Sequence, residues 1–454
     1  MDELAVDAGL EGFGSLADQE LREPNDPNPI DGAAPSYVEG EVAPRNPRVL
    51  FCSWTELDVA SGTPVILCDL LRHFPPGDAE VLTEDNPDNK RRRKIEVEHP
   101  IHKYRPHTRL WPFMRGHRVR GRLARLGVPL LVATILRRIK KFRPDCLFAV
   151  YAQSHWILAA WIASRLSGVP LIYYVHDTFL EQTNRRKNSA YSKWLDRRAL
   201  STARVLVLHP YLADYYHQRY GIECTVLRQI IRHPALPPRR TDFAAKEIVI
   251  GFSGAIYDNN RRQLAELARV VEANPRLRLK IWSDAAPAEL DRAGIAGERV
   301  ECAYEADYER LLTHLAGCDL LYLPLAFFDT PAVTTDSLQY AFPTKSLDYL
   351  VSGTPILVHS PKHFELSRFF ASHDCGHVVN EAGPVAVEAW LQRWLAGAVE
   401  SLDDSDRLAT LRIFSPEENR RLLWVIIAEE TASRGKRPRA TTPTSTNETV
   451  KAAV

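Results

Sequence analysis

The chain has 454 residues, and because a single domain of this length is uncommon, we expect two or three domains. A hydrophobic fraction of 45% and a charged fraction of 25% are typical of a soluble globular protein. The seven cysteines include no C-x-x-C pair, so the sequence indicates neither a zinc site nor a disulfide framework and fits a reducing compartment.

The net charge is only +1, but the two signs of charge are concentrated in different parts of the chain. In residues 1–40 Arg22 is the sole basic residue, whereas residues 90–143 carry eighteen Lys and Arg against two glutamates. We predict a disordered acidic tail over residues 1–46, which are rich in Pro, Asp, Glu and Gly, and a second disordered tail over 434–454.

No targeting segment or membrane span is predicted. The first ten residues are acidic and lack the apolar core of a signal peptide. The most apolar long window, Trp156 to Val175, is interrupted by Arg165, Ser167 and Gly168, which indicates a helix, a turn and a strand. We therefore expect a cytoplasmic protein.

Buried parallel strands and amphipathic helices are predicted to alternate between the tails, which indicates an α/β fold with sheets covered on both faces. The apolar runs that suit such strands are Val49–Trp54, Cys146–Ala152, Leu171–Val175, Val205–Leu208, Ile248–Phe252, Leu277–Trp282, Val300–Ala303, Leu320–Leu323 and Ile356–Val358.

Nine strands are many for one sheet, and the proline-containing stretch 232–246 is typical of a linker between domains. We therefore predict two doubly wound, Rossmann-like domains over residues 47–240 and 241–400 that face a common cleft. Residues 401–433 are predicted to form C-terminal helices that cross back onto the first domain, because Leu422, Leu423, Ile426 and Ile427 give them an apolar face.

The first candidate site segment follows the opening strand, where Gly62 and Thr63 precede a helical run. A glycine in a strand–helix loop allows the backbone to approach a phosphate or a sugar closely. An ordinary turn explains the same residues, and the sequence leaves both interpretations open.

The basic segment 90–125 mixes Lys and Arg with Trp111, Phe113 and Met114. Such a mixture can lie on an anionic membrane or hold an acidic glycan or a lipid-linked acceptor. A solvated insertion is the alternative. We do not expect nucleic acid as a partner, because no recognised nucleic-acid-binding fold accompanies the charge.

His176 and Asp177 come directly after the predicted strand Leu171–Val175, at the position where binding and catalytic side chains emerge in this fold class. The histidine can donate to a sugar hydroxyl or stabilise developing charge, and the aspartate can orient it. A capped loop with a partly buried histidine is the alternative.

A third segment follows the predicted strand Ile248–Phe252. Gly254 lies in the loop, and Arg261 or Arg262 could neutralise a diphosphate. At the start of a helix, arginine also commonly belongs to a solvated face.

The stretch from Phe342 to Val358 is the most informative. Pro343 suits the first turn of a helix and Gly353 its end. The helix N-terminus near Thr344 favours a phosphate, Lys345 adds positive charge, and the carboxylate of Asp348, one turn on, can accept from two sugar hydroxyls. A solvated Lys345–Asp348 pair on a surface helix is the alternative.

In their order and spacing these segments resemble the family 4 glycosyltransferases of the GT-B fold over about residues 48–430. The resemblance rests on the loop Ser61–Thr63, on the stretches Leu166–Asp177 and Tyr304–Pro324, and on the helix that ends at Gly353–Pro355. It implies a GT-B architecture in which the C-terminal domain holds a nucleotide-sugar donor and the N-terminal domain holds a glycan, lipid-linked or small-molecule acceptor.

The resemblance also implies residue roles. Asp348 stands where a glutamate grips the ribose hydroxyls, and His176 stands where a histidine contacts the donor sugar and supports the transition state. The amides near Thr344, together with Lys345, would hold the diphosphate. Transfer would retain the anomeric configuration and need neither a metal nor another cofactor, because the helix dipole and basic side chains neutralise the leaving group.

The sequence departs from the family pattern at two places. Tyr340 stands where the family carries a carboxylate, and Ala255 follows Gly254 where the family carries an arginine. Lys345 could compensate for the missing arginine. These departures keep two alternatives to an active transferase open: a non-catalytic glycosyltransferase-like partner protein, or a nucleotide-sugar epimerase of related architecture.

Overall fold

The computed structural model describes residues 46–57, 62–85, 97–105, 127–151, 153–178, 190–239, 241–244, 247–330 and 334–436. Residues 1–45 and 437–454, most of the two predicted tails, lie outside these ranges, as do Ser61 and most of the basic segment 90–125. Residues 434–436, predicted as the start of the second tail, instead end the last described helix. The described residues form one compact unit that contains two parallel sheets.

The first lobe is a seven-stranded parallel sheet with the order β3-β2-β1-β4-β5-β6-β7 and its covering helices. Its strands are β1 (Val49–Ser53), β2 (Ala79–Glu84), β3 (Ile101–Tyr104), β4 (Cys146–Tyr151), β5 (Leu171–Val175), β6 (Arg204–Val207) and β7 (Cys224–Val226). Its helices are α1 (Gly62–Leu71), α2 (Val128–Phe142), α3 (Ser154–Ser167), α4 (Ala190–Leu200) and α5 (Pro210–Tyr220).

The second lobe is a six-stranded parallel sheet with the order β10-β9-β8-β11-β12-β13. Its strands are β8 (Ile248–Ser253), β9 (Leu277–Trp282), β10 (Val300–Ala303), β11 (Leu320–Pro324), β12 (Ile356–His359) and β13 (His377–Val379). The helices of this half are α6 (Arg261–Ala273), α7 (Pro287–Ala293), α8 (Tyr308–Ala316), α9 (Thr335–Leu338), α10 (Lys345–Ser352), α11 (Glu365–Ser372), α12 (Pro384–Leu395), α13 (Asp404–Arg412) and α14 (Pro416–Lys436).

The predicted fold class is confirmed: the chain is α/β with two doubly wound sheets. All nine predicted strands are present, and four that the sequence did not indicate, β2, β3, β7 and β13, extend the sheets. The central strands form because their apolar runs are buried on both faces: every residue of β1, β4, β5 and β11 is buried.

Each sheet separates two apolar cores. In the first lobe, one core lies under α2 to α5 and the other under α1. The long C-terminal helix α14 completes this second core, because Leu423, Ile426 and Ile427 pack into it with at most 1% of their surface exposed. The last described helix therefore belongs structurally to the first lobe.

The connection between the lobes supports the end of α10. The N–H of Leu236 donates to the carbonyl of Val351, and the N–H of Arg239 donates to that of Gly353. Gly353 has φ +73°, and a Cβ there would lie 2.3 Å from the carbonyl oxygen of Pro237. The glycine predicted as the helix end is thus required both by its left-handed backbone and by this close approach.

Two further observations concern membranes and cysteines. None of the described helices combines the length and the apolar character that crossing a bilayer requires. All seven cysteines are free thiols.

The strand order reverses between β1 and β4 in the first sheet and between β8 and β11 in the second. In doubly wound folds, ligands bind beyond the carboxyl ends of the strands near this reversal. The functional site is therefore expected where the loops after β1, β5, β8 and β11 come together.

Candidate functional site

A cavity of about 450 Å³ lies where these loops meet. It is lined by both lobes, which fits a cleft that receives a ligand between two domains. Eight of the ten residues predicted from the sequence line it: Gly62, Thr63, His176, Asp177, Gly254, Thr344, Lys345 and Asp348.

The helix that was predicted to bind phosphate begins two residues later than expected, at Lys345 rather than at Pro343. The N–H of Ser346 donates to the carbonyl of Pro343, and that of Leu347 to the carbonyl of Thr344. These are bonds to the third preceding residue, which close a tight turn ahead of the regular helix. The amides of Thr344 and Lys345 have no acceptor among the described residues, so they can receive an anion.

Lys345 lies in a position suited to a phosphate group. Its Nζ is 3.8 Å from the centre of the Phe252 ring. Gly254 leaves room for it: a Cβ there would lie 3.3 Å from both Cε and Nζ of the lysine, and φ is +98°. Burial lowers the pKa of Lys345 to about 7, and the neighbouring Asp348 opposes this shift.

Asp348 is held by one of its two oxygens. Oδ1 accepts a hydrogen bond of 2.9 Å from the hydroxyl of Tyr308. Burial raises the pKa of Asp348, and the Arg232 guanidinium is the strongest opposing influence. Among the described residues no other donor reaches this carboxylate, and Asp348 lines the cavity.

His176 faces the cavity from the first lobe. Its Nδ1 lies 3.2 Å from the hydroxyl oxygen of Thr63, and its ring packs edge-on to Tyr174 at 4.5 Å. Nε2 is buried and has no hydrogen-bond partner among the described residues. Burial lowers the pKa of His176 to about 3, so the ring is neutral at neutral pH. If the Thr63 hydroxyl donates to Nδ1, Nε2 carries the proton and can donate to a ligand.

The structure does not bring Arg261 and Arg262 to the cavity. Arg261 pairs with Asp258 at 2.7 Å, and Arg262 pairs with Glu266 at 2.9 Å. The guanidinium of Arg262 also lies over the ring of Phe328. Asp258 in the turn before α6 and Glu266, one turn along that helix, therefore engage the two arginines. Ala255 does line the cavity, beside Gly254.

Tyr340, at the place of the family carboxylate, does not line the cavity. Its ring lies 4.9 Å from that of Tyr215 and packs against a core of the first lobe. Its carbonyl accepts a hydrogen bond of 2.8 Å from Nε2 of His209. The residue thus contributes to the contact between the lobes.

The sequence interpretation missed several cavity residues. Tyr308, Arg232 and Gln229 line it together with the aromatic side chains of Trp282 and Tyr304. Tyr304 and Tyr308 lie within the stretch that resembles the family, but nothing in their spacing indicated that Tyr308 would contact Asp348, forty residues away. Within the described residues, no group of three or more His, Cys, Asp or Glu side chains is arranged to hold a metal ion.

Comparison with known families supports the same class of protein. The sequence model of the family described as Glycosyltransferase Family 4 matches residues 61–230, which include α1, His176 and most of the first lobe. No curated protein matches the chain.

Several solved structures share the fold. HepE of Anabaena, in complex with UDP, is 13% identical, with a TM-score of 0.59 over 84% of this chain and 100% of its own. A glycosyltransferase of Rickettsia africae is 10% identical, with a TM-score of 0.57 over 85% and 99%. The UDP-forming trehalose-phosphate synthase of Burkholderia xenovorans is 11% identical, with a TM-score of 0.55 over 84% and 100%.

At these identities the structural likeness shows the two-sheet architecture, and the family match supplies the class of reaction. The resemblance predicted from the sequence motifs is therefore confirmed for the fold and for the class of enzyme. The match over residues 61–230, together with the shared fold of both lobes, identifies the chain as a glycosyltransferase enzyme of the GT-B fold.

Proposed function

We propose that the enzyme transfers a sugar from a nucleotide-sugar donor to an acceptor hydroxyl, with retention of the anomeric configuration and without a metal ion. One observation carries the proposal: Thr344, Lys345 and Asp348 line the same cavity as His176. Among the described residues, the amides at the start of α10 have no acceptor, and the buried Nε2 of His176 has no hydrogen-bond partner. One short helix thus offers groups for a diphosphate and for a ribose, and the first lobe offers the neutral His176 ring as a hydrogen-bond donor to the sugar.

Departure of the nucleoside diphosphate is the step that this arrangement assists. As the bond between the anomeric carbon and the diphosphate oxygen breaks, negative charge grows on the leaving group and the sugar becomes oxocarbenium-like. The amides of Thr344 and Lys345 and the Lys345 ammonium stabilise that charge. The acceptor hydroxyl then attacks the anomeric carbon from the face that the diphosphate leaves, and its proton passes to the leaving diphosphate.

The role of His176 is to contact the donor sugar. Because the ring is neutral, Nε2–H donates a hydrogen bond without bringing a second positive charge next to an oxocarbenium-like centre. Thr63 fixes the orientation of the ring through Nδ1. Asp177, which also lines the cavity, follows His176 directly and is proposed to orient the loop.

UDP-sugars are the first donors to test, because HepE has been solved with UDP and with UDP-glucose. The acceptor is proposed to be a glycan or a lipid-linked or small molecule bound over the first lobe. Contact with an anionic membrane through residues 90–125, and a cytoplasmic location, stay predictions.

A thermal-shift screen of UDP-, GDP- and ADP-sugars tests the proposal. A bound donor at 100-fold its Kd should add about 2.7 kcal/mol to the free energy of unfolding. Asp348→Ala should abolish this shift, whereas Asp291→Ala, at an exposed position on α7, should keep it. Absence of a shift with every donor, or an unchanged shift in Asp348→Ala, would contradict the proposal.

A further inference from the structure

Asp348, which is proposed to bind the donor, belongs to a cluster of three charged side chains and one tyrosine at the edge of the donor cavity. Asp69, Arg232, Tyr308 and Asp348 line a small cavity of about 10 Å³, and the last three of them also line the main cavity. The two spaces adjoin, so a change in this cluster reaches the donor site directly.

The contacts within the cluster run from one lobe to the other. Arg232 Nε donates to Asp69 Oδ2 at 2.8 Å, and the Arg232 guanidinium carbon lies 5.1 Å from the centre of the Tyr308 ring. The hydroxyl of Tyr308 then donates to Asp348 Oδ1. Asp69 belongs to α1 of the first lobe, Arg232 to the connection between the lobes, and Tyr308 and Asp348 to the second lobe.

One cation serves the buried carboxylate of Asp69 and the partly buried carboxylate of Asp348 in this cluster. Burial raises the pKa of Asp69 and of Asp348, and for both groups the Arg232 guanidinium is the strongest influence that lowers it. Arg232 makes its ion pair with Asp69, and its side chain is 21% exposed. It therefore favours the ionised form of Asp348, whose Oδ2 oxygen has no hydrogen-bond partner among the residues that the structure describes.

Helix α1 connects this cluster with the other side of the donor cavity. Thr63, in its first turn, lies within hydrogen-bond distance of His176, and Asp69, almost two turns later, holds Arg232. The same helix thus supplies the residue that contacts His176 and the carboxylate that holds Arg232 next to Asp348.

We propose that Arg232 is a positioning residue for the donor: anchored by Asp69 of the first lobe and packed on Tyr308, it keeps Asp348 ionised and oriented for the ribose, and so makes donor binding depend on the contact between the lobes. This inference rests on the proposed function, because it assumes that Asp348 binds the ribose hydroxyls.

A double-mutant cycle measured with UDP as the probe tests the inference. Arg232→Met, which keeps the length of the side chain without its charge, should weaken UDP binding about tenfold, within the range measured for coupled charged neighbours. In an Asp348→Asn background the same substitution should change the Kd less than about twofold, because the group through which it acts is gone. Titration calorimetry on the full chain gives all four constants.

Three further variants separate positioning from general stability. Arg232→Lys keeps the charge and should recover part of the UDP affinity. Tyr308→Phe removes the hydroxyl while leaving the Asp69–Arg232 ion pair in place, so it should also weaken UDP binding. Arg239→Met is the matched control: Arg239 lies in the same connection and pairs with the buried Asp319 at 3.2 Å, but it does not line either cavity, and UDP affinity should be unchanged.

The outcomes distinguish the inference from the function on which it rests. If Asp348→Asn alone leaves UDP binding unchanged, the ribose role of Asp348 is wrong, and the proposed function loses that contact. If Asp348→Asn weakens binding but Arg232→Met and Tyr308→Phe do not, the inference alone is overturned. Equal losses from Arg232→Met in both backgrounds would also overturn it, because they would show an effect that does not pass through Asp348.

Discussion

The two lobes contribute different chemistry to the cleft. The first lobe contributes a neutral imidazole, His176, held by a hydroxyl group. The second contributes a helix start whose amides have no acceptor in the described part of the chain, together with an ammonium group and a carboxylate. In the proposed reaction the uncharged group faces the sugar, where positive charge develops, and the charged groups face the nucleotide, where negative charge develops.

Burial produces this difference from one physical cause. Desolvation lowers the pKa of both His176 and Lys345, because each is positively charged when protonated. The pKa of the histidine is ordinarily near neutral pH and falls to about 3, so the ring stays neutral across the physiological range. The pKa of the lysine is ordinarily much higher and falls to about 7, so the charge of this side chain is sensitive to pH and to a bound diphosphate.

The largest effect is expected from removing the neutral imidazole that the first lobe contributes to the cleft. His176→Ala should lower kcat by about 10²–10³-fold, the loss typical of deleting one pre-organised hydrogen-bond donor, with donor affinity nearly unchanged. Steady-state kinetics and a separate measurement of UDP affinity distinguish the two quantities. Thr63→Val, which leaves the ring in place but removes its hydrogen bond, should have a smaller effect on kcat. A donor affinity that falls as far as kcat would show that His176 acts in binding.

An intermediate effect is expected from titrating Lys345, one of the charged groups that the second lobe contributes to the cleft. Lys345 loses its proton as pH rises through about 7, and only the ammonium form pairs with the diphosphate. Affinity for a UDP-sugar, whose diphosphate keeps its charge over this range, should therefore fall above about pH 7 by up to about tenfold per pH unit. Lys345→Met should bind weakly at every pH and lose this dependence. The same slope in the variant would assign the titration to another group.

The smallest effect is expected at Arg261. Its ion pair with Asp258 is solvent-exposed and local, so Arg261→Ala should change the free energy of unfolding by less than about 1 kcal/mol. Donor affinity should be unchanged, because the side chain does not line the cavity. A clear loss of donor affinity would contradict this expectation, because it would show that Arg261 binds the diphosphate together with Lys345.

The fold could be predicted from the sequence where strands are buried on both faces. Most of the nine predicted runs are apolar and buried, and each is a strand. The exception is β10, a short and mostly exposed edge strand that the sequence nevertheless indicated. The four missed strands lack that signal. Strands β3, β7 and β13 lie at sheet edges and have only three or four residues, most of them partly exposed. In β2, two glutamates interrupt the apolar run. Neighbouring strands, rather than their own composition, hold these segments in the sheets.

The site could be predicted in part for a similar reason. His176 and the start of α10 are found because doubly wound folds place such residues beyond strand ends. Contacts between distant segments left no local pattern: Arg232 and Asp69 are 163 residues apart. The positions of Arg261 and Arg262 had a signal that was not used, because Glu266, four residues after Arg262, matches the spacing of a helical ion pair.

The placement of α14 has a consequence for how the protein is made. The first lobe is not a contiguous stretch of chain, since Leu423, Ile426 and Ile427 fill an apolar surface formed by residues synthesised far earlier. A fragment truncated in the connection between the sheets would leave that surface bare and prone to aggregation. During translation, the second lobe can therefore close its cores before the first, which must wait for the ribosome to release α14.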